Sequence, residues 1–310
     1  MRNCFSNAFY KIACDDSRLI IVVADISPAA SMEKFRNEYP KRFINTGVSE
    51  QSMIGICAGL ALKGMRPFAY TIATFVLYRT FEFWRDDCAY QGLPVTLVGI
   101  GGGVNYATLG GTHHAMEDIA IASAVPNMQI IAPCDPDEVN LATTWCAKEN
   151  EKGPVYLRLG RAGEPTLTER AEPFVFGKLR YLVRGEKIGF ISYGVVLKMV
   201  VDAAKITADR VGHAVSIVNC HTLKPIDQSG LHDFLAKHDK IIVVEEMVPT
   251  GGLTAQIKSL AFDNKLKCEI KSLTLQDKFL HVYGSHADLL AAHGLSIDHI
   301  VQAAQTYERG

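Results

Sequence analysis

Several things are missing from this 310-residue chain. There is no run of 18 or more apolar residues, so no membrane-spanning helix is expected. The opening Met1-Arg2-Asn3-Cys4-Phe5-Ser6-Asn7 has no uninterrupted apolar stretch, so no secretion signal is expected either. The eight cysteines are scattered without a C-x-x-C pair, which leaves out the usual zinc spacing and points to small core residues in a reducing cytoplasm. Neither sign of charge is in excess: 32 basic residues face 33 acidic ones, a formal net charge of −1. Nothing in that balance calls for nucleic acid or an anionic membrane surface as partner. Short-period repeats and low-complexity tracts are absent, and the composition, 48% hydrophobic and 21% charged, is that of a globular protein. A chain of this length makes two domains and needs no disulfide or metal to fold.

What is present is an alternation of apolar strands and helical stretches. Strands are expected at 18–25, 66–72, 93–100, 128–132 and 155–159. Helices are expected at 50–63, closed by Gly64, and at 75–90. From Gly160 to about Gly185 the helical period lapses, as in a linker. Alternation resumes with strands at 187–193, 214–218, 240–245 and 269–273, and a last helix starts near Ser296. The fold class is therefore α/β, with two domains, each a mostly parallel sheet with helices on both faces. Their expected bounds are 1–165 and 186–310, joined by 166–185.

In such sheets ligands bind beyond the carboxyl ends of the strands. That rule selects Asp25-Ile26-Ser27, Thr71 to Phe75, Gly99 to Gly103 and the loop after Ile44 that leads into Glu50. Taken alone, Glu50 reads first as an acid at a helix start, with Ser49 as the cap. His113 and His114 are adjacent, and adjacent side chains usually diverge; a substrate role for His113 is the better reading than a metal site. Of the aromatic group Phe68, Tyr70, Phe75, Tyr78, Phe81, Phe83 and Trp84, most are core, but a ring just after a strand suits stacking on a planar cofactor. Arg158 and Arg161 follow a strand and fit either an anion site or a solvated pair. Gly101-Gly102-Gly103 matches no G-x-G-x-x-G or Walker pattern.

Taken in order, four segments resemble the transketolase family of thiamine-diphosphate enzymes. They are Arg42-Phe43-Ile44-Asn45-Thr46-Gly47-Val48-Ser49-Glu50-Gln51-Ser52-Met53, Gly110-Gly111-Thr112-His113-His114, Leu223-Lys224-Pro225-Ile226-Asp227, and Glu245-Glu246 followed by Gly251-Gly252. The resemblance covers the family's pyrimidine-binding and C-terminal domains. The diphosphate-binding domain, with its Gly-Asp-Gly run, has no counterpart here. The resemblance therefore implies the second subunit of a split transketolase. The partner would be a separate N-terminal subunit that holds the diphosphate through Mg²⁺ or Ca²⁺, in an α2β2 heterotetramer. It implies transfer of a two-carbon ketol unit from a ketose, or its phosphate, to an aldose.

Residue by residue, it makes Glu50 the acid at N1′ of the aminopyrimidine, in an apolar setting that raises its pKa. Proton exchange there favours the imino tautomer that activates thiazolium C2. Phe75 would stack on the pyrimidine, with Ile72 and Tyr78 nearby. Ile26 would press between the cofactor's rings and Asp25 would orient the site. His113 would face substrate oxygens, and Arg161, Arg158 and Arg2 would bind a substrate phosphate. Three positions depart from the family: Leu109 replaces an Asp, Gly101 a frequent His, and Ile72 a usual aromatic. Those changes point to a non-standard sugar. The rival readings are the beta chain of a 2-oxoacid dehydrogenase, a deoxyxylulose-phosphate synthase-like chain, and a non-catalytic scaffold subunit.

Overall fold

The computed structural model describes residues 1–26 and 30–305; Ser27 lies outside the described residues. In chain order the first half runs α1 (Arg2–Asp15), β1 (Leu19–Val23), α2 (Ala30–Glu38), β2 (Phe43–Asn45), α3 (Glu50–Leu62), β3 (Arg66–Ile72), α4 (Ala73–Leu77), α5 (Phe81–Phe83), β4 (Thr96–Ile100), α6 (Asp118–Ala124), β5 (Gln129–Ile131), α7 (Pro136–Lys148) and β6 (Val155–Leu159). The second half runs β7 (Arg180–Val183), β8 (Lys187–Ser192), α8 (Leu197–Val211), β9 (Ser216–Asn219), β10 (Thr222–Lys224), α9 (Gln228–Lys237), β11 (His238–Val244), α10 (Leu253–Asp263), β12 (Glu269–Leu273), α11 (His286–Ala292) and α12 (Ile297–Gln305).

The strands form two sheets. The first has seven strands in the order β10-β5-β6-β4-β3-β1-β2, and the second has five in the order β12-β11-β8-β9-β7. Within the first sheet β1 to β6 pair in parallel. β1, β4 and β6 are buried along their whole length, as continuous apolar runs covered on both faces should be. Among the described residues, β10 alone is antiparallel in the first sheet, against β5, and β7 alone in the second, against β9.

Two expectations change. Residues 180–183, inside the expected linker, are β7 and form an edge of the second sheet. The expected helix 75–90 is three pieces: α4, a turn at 78–80, then α5 running into a π-helix at Trp84–Tyr90. Buried side chains interrupt it. Thr80 Oγ1 donates back to the Val76 carbonyl at 2.6 Å, and Trp84 Nε1 donates to the Leu77 carbonyl at 2.9 Å.

The halves are sealed together. β10 comes from the second half yet completes the first sheet, and one apolar cluster runs from Val22, Met53 and Trp84 through Tyr156 to Tyr193, Phe234 and Val243. Buried polar groups cross the same seam. Glu138 on α7 accepts from Arg180 Nη1 at 2.9 Å and from Asn219 Nδ2 at 2.7 Å. Glu246 accepts from the Val104 amide and from His286 Nε2, both at 2.7 Å. Among the described residues, no helix is long and apolar enough to cross a membrane.

Candidate active site

The carboxyl ends of β1, β2, β3, β4 and β6 open on one edge of the first sheet, and the candidate residues gather there. Asn45 shapes the first corner. Its Oδ1 accepts from the Asp25 and Gly47 amides, each at 3.0 Å, while Thr46 Oγ1 donates to the Val23 carbonyl at 3.2 Å. Gly47 then turns with φ +69°, a left-handed geometry that favours glycine, and the chain enters α3 at Glu50. Asp25 itself has φ +48°. Such strain outside glycine is characteristic of functional corners. Ile26 and Ile72 are half-buried against the first sheet's core.

Glu50 is buried, with 2% of its surface exposed. Ser49 does not cap α3 through its side chain; its hydroxyl donates to Ser52 Oγ at 2.7 Å. Nor is the glutamate in the wholly apolar setting that the resemblance implied. Arg79 Nη1 donates to Glu50 Oε2 at 2.8 Å. The same guanidinium lies over the Phe75 ring, 4.3 Å from its centroid. Glu50 and Phe75, from two different elements, thus converge on one planar, N–H-bearing group. Sequence reading missed Arg79, which lies in the turn at 78–80 just past the end of α4.

His113 packs edge-on to Phe75 at 5.2 Å between centroids and to Tyr106 at 6.1 Å. Its Nδ1 lies 2.9 Å from Thr112 Oγ1. Partial burial, then the positive charge of Arg79, hold its pKa below the ordinary imidazole value. His114 diverges from it into the core, with Nε2 buried and unpartnered. Tyr78 is half-buried, and its hydroxyl donates to Glu117 Oε2 at 3.1 Å.

Arg161 stacks over the Tyr106 ring at 5.3 Å. Arg2 acts on the same ring: burial raises the Tyr106 pKa, and the charges of Arg161 and Arg2 pull it back. Arg2 Nε and the Tyr70 hydroxyl are both buried without a hydrogen-bond partner. Unpartnered donors of this kind suit an anion or ordered water. Arg158 is not part of this group. Its Nε donates to Asp118 Oδ2 at 2.7 Å and its Nη2 to the Glu246 carbonyl at 3.1 Å, with both side chains of the ion pair buried. Its donors hold the fold together, so it does not serve as an exposed phosphate ligand.

The glycines at 101–103 are not a phosphate loop but room for side chains. A Cβ at 101 would meet the Tyr106 ring at 2.3 Å, one at 102 Arg158 at 2.4 Å and one at 103 the Glu246 carboxyl at 2.3 Å. Tyr106, the second residue that sequence reading missed, thus takes up the space that the bare Gly101 leaves. Leu109 stands exposed on the same loop. The remaining matched segments are structural. Glu245 accepts from the Leu253 and Thr254 amides at the start of α10, both at 2.9 Å. Asp227 accepts from the Gly230 amide at the start of α9 at 3.1 Å.

Comparison with known proteins accords with this geometry. Residues 1–164 match the family described as transketolase, pyrimidine binding domain, and residues 177–300 match transketolase, C-terminal domain. The chain is 31% identical over 286 residues to one of the subunits of the apulose-4-phosphate transketolase of Actinobacillus succinogenes, covering 92% of this chain and 91% of the relative. It is 29% identical to 1-deoxy-D-xylulose-5-phosphate synthase of Bacillus cereus, covering 97% of this chain but 48% of that longer protein. Among solved structures it superposes on a split-gene transketolase described as an inactive β4 tetramer, with a TM-score of 0.85 and 28% identity, over 98% of this chain and 96% of the other. The chain belongs to the transketolase family.

Proposed function

We propose that this member of the transketolase family is the pyrimidine-binding and C-terminal subunit of a two-chain, thiamine-diphosphate-dependent transketolase. It would transfer a two-carbon ketol unit between sugar phosphates. The observation that carries the reading is the cradle at Glu50 and Phe75, a buried carboxylate at 2.8 Å and an aromatic face at 4.3 Å from one planar nitrogenous group. An aminopyrimidine is likewise planar with nitrogen at its edge, so a ring stacked on Phe75 with its edge against the Glu50 carboxyl fits the residues present.

When bound, thiamine diphosphate supplies the carbon nucleophile and electron sink for making and breaking a bond beside a ketone. This chain's residues do the rest. Glu50 holds and exchanges a proton through its carboxyl. Phe75 fixes the ring plane. Ile26 and Ile72 keep water from its edges, while Asp25 and Tyr78 set the walls. His113 remains neutral at neutral pH, so one ring nitrogen can accept and the other donate to substrate hydroxyls. Arg161 and Arg2 offer charge to a substrate phosphate.

A separate N-terminal subunit would hold the diphosphate through Mg²⁺ or Ca²⁺ and complete an α2β2 assembly in the cytoplasm. Its docking face would be α3. That helix buries Met53, Ile54, Cys57 and Ala61 on one side, yet Ile56 and Leu62 stay exposed on the other, beside exposed Phe81 and Phe83. A helix apolar on all sides calls for a second cover. Leu109 at the rim, with no polar group to offer a sugar hydroxyl, favours a sugar other than the common linear pentoses; the name of the A. succinogenes relative suggests apulose 4-phosphate as the first to try.

The test is co-purification with the chain that carries Gly-Asp-Gly, followed by ketol transfer with and without Glu50→Gln. Loss of about a hundredfold or more in rate is expected, the range for a removed acid–base group. An unchanged rate would remove the glutamate from the chemistry.

A further inference from the structure

Arg79 is the unexplained member of the site. Three observations bear on it. Its guanidinium fills the face of Phe75 and engages Glu50 at once. Its main chain is anchored, because the turn at 78–80 is tied down by Thr80 to the Val76 carbonyl and by Trp84 to the Leu77 carbonyl. Its side chain is nonetheless 39% exposed, so it can swing into solvent by rotamer changes alone.

The occupancy is mutually exclusive with the function proposed above, for two reasons. One face of Phe75 has room for one planar partner. Arg79 Nη1 also occupies Glu50 Oε2 at 2.8 Å, the carboxyl edge that the proposed role needs free for a pyrimidine nitrogen. Guanidinium shares with the displaced group a planar, nitrogen-edged shape suited to stacking on aromatic rings, although it donates to Glu50 where a neutral pyrimidine nitrogen accepts.

We infer that Arg79 is a built-in plug of the pyrimidine site, which closes the site in the unassembled chain and must be displaced by an aminopyrimidine ring before the site can work. The inference rests on the pyrimidine reading of Glu50 and Phe75. It adds a regulatory consequence. The chain alone takes up the cofactor poorly, and only the extra binding energy from the partner's diphosphate contacts overcomes the plug, so that premature loading is suppressed.

Binding to the full-length chain alone tests this, with 4-amino-5-hydroxymethyl-2-methylpyrimidine as probe in titration calorimetry. If the open form is about one molecule in ten, removing the plug tightens apparent affinity about tenfold. Arg79→Ala should show that gain. Arg79→Gln keeps a neutral donor for Glu50, guards against a folding defect, and should gain in the same direction. Adding Phe75→Ala to either variant should abolish binding.

Equal affinity of wild type and both Arg79 variants, with Phe75→Ala weakening all three, would overturn the plug and leave the pyrimidine reading intact. Binding that gains on Arg79 substitution but ignores Phe75→Ala would overturn it too, because the probe would then sit elsewhere. No binding by any variant also overturns the plug as the barrier. The Glu50→Gln rate in the assembled complex then decides separately whether the pyrimidine reading stands.

Discussion

At the scale of single residues, the candidate site is a chain of side-chain contacts. Arg79 touches Glu50 and Phe75, Phe75 meets His113, His113 meets Tyr106, and Tyr106 carries Arg161. Burial and then Arg79 lower the His113 pKa, so its titration midpoint in the free chain is expected below the ordinary 6.5. Removing the charge with Arg79→Gln should move that midpoint upward. Proton NMR of the imidazole resolves the shift, and an unmoved or lower midpoint would separate the two residues. Glu50, Phe75 and Arg161 stand near strand ends on the sheet edge expected from the sequence, and His113, on a loop turn, packs against Phe75 there. Arg79 and Tyr106 were not legible in the sequence, since their importance comes from what they lie over. Arg158 lies inside β6, where the sequence does not show whether a guanidinium faces solvent or a buried aspartate.

At the scale of elements, the loops after the strands are tightly packed spacers. The 101–103 loop passes under three side chains that need its missing Cβ atoms. Gly103 is the most demanding. It has φ +67° and faces the Glu246 carboxyl, which in turn takes the Val104 amide and His286. Gly103→Ala should therefore cost roughly 2 kcal/mol from backbone strain and steric conflict, read as a melting temperature lower by several degrees. An alanine variant as stable as wild type would show that Glu246 can give way. The strands themselves were plain in the sequence, because buried parallel strands are unbroken apolar runs. The break between α4 and the π-helix was not. It depends on which carbonyls Thr80 and Trp84 reach, and periodicity carries no information on that.

At the scale of the whole molecule, the two sheets behave as one body with polar groups buried in the seam. His221 is fully buried beside β10, stacked on Phe174 at 4.2 Å, with Nδ1 against Thr222 Oγ1 at 2.9 Å. Burial, reinforced by Arg180, lowers its pKa to about 3. The sign follows directly: the folded state binds no proton there until far below 6.5, while the unfolded chain does. The stabilisation is complete above pH 6.5 and is lost as pH falls toward 3, at a slope of about 1 kcal/mol per pH unit from this group. Chemical denaturation at pH 7, 6 and 5 should show the loss, and His221→Phe should flatten it. An equal pH slope in that variant would assign the acid sensitivity to other groups.

The sequence by itself determined the α/β class, the alternation of strands and helices, and the sheet edge on which the candidate residues fall. All of these follow from local periodicity and from the few residue types that turn a chain. The tertiary structure alone decided that β10 crosses into the first sheet and that Arg158 is an internal tie. It also decided that Arg79 sits between Glu50 and Phe75. Each of those depends on contacts between segments distant in sequence or on the direction of a long side chain. Such features are selected by the packing of the whole molecule, and the local pattern does not encode them.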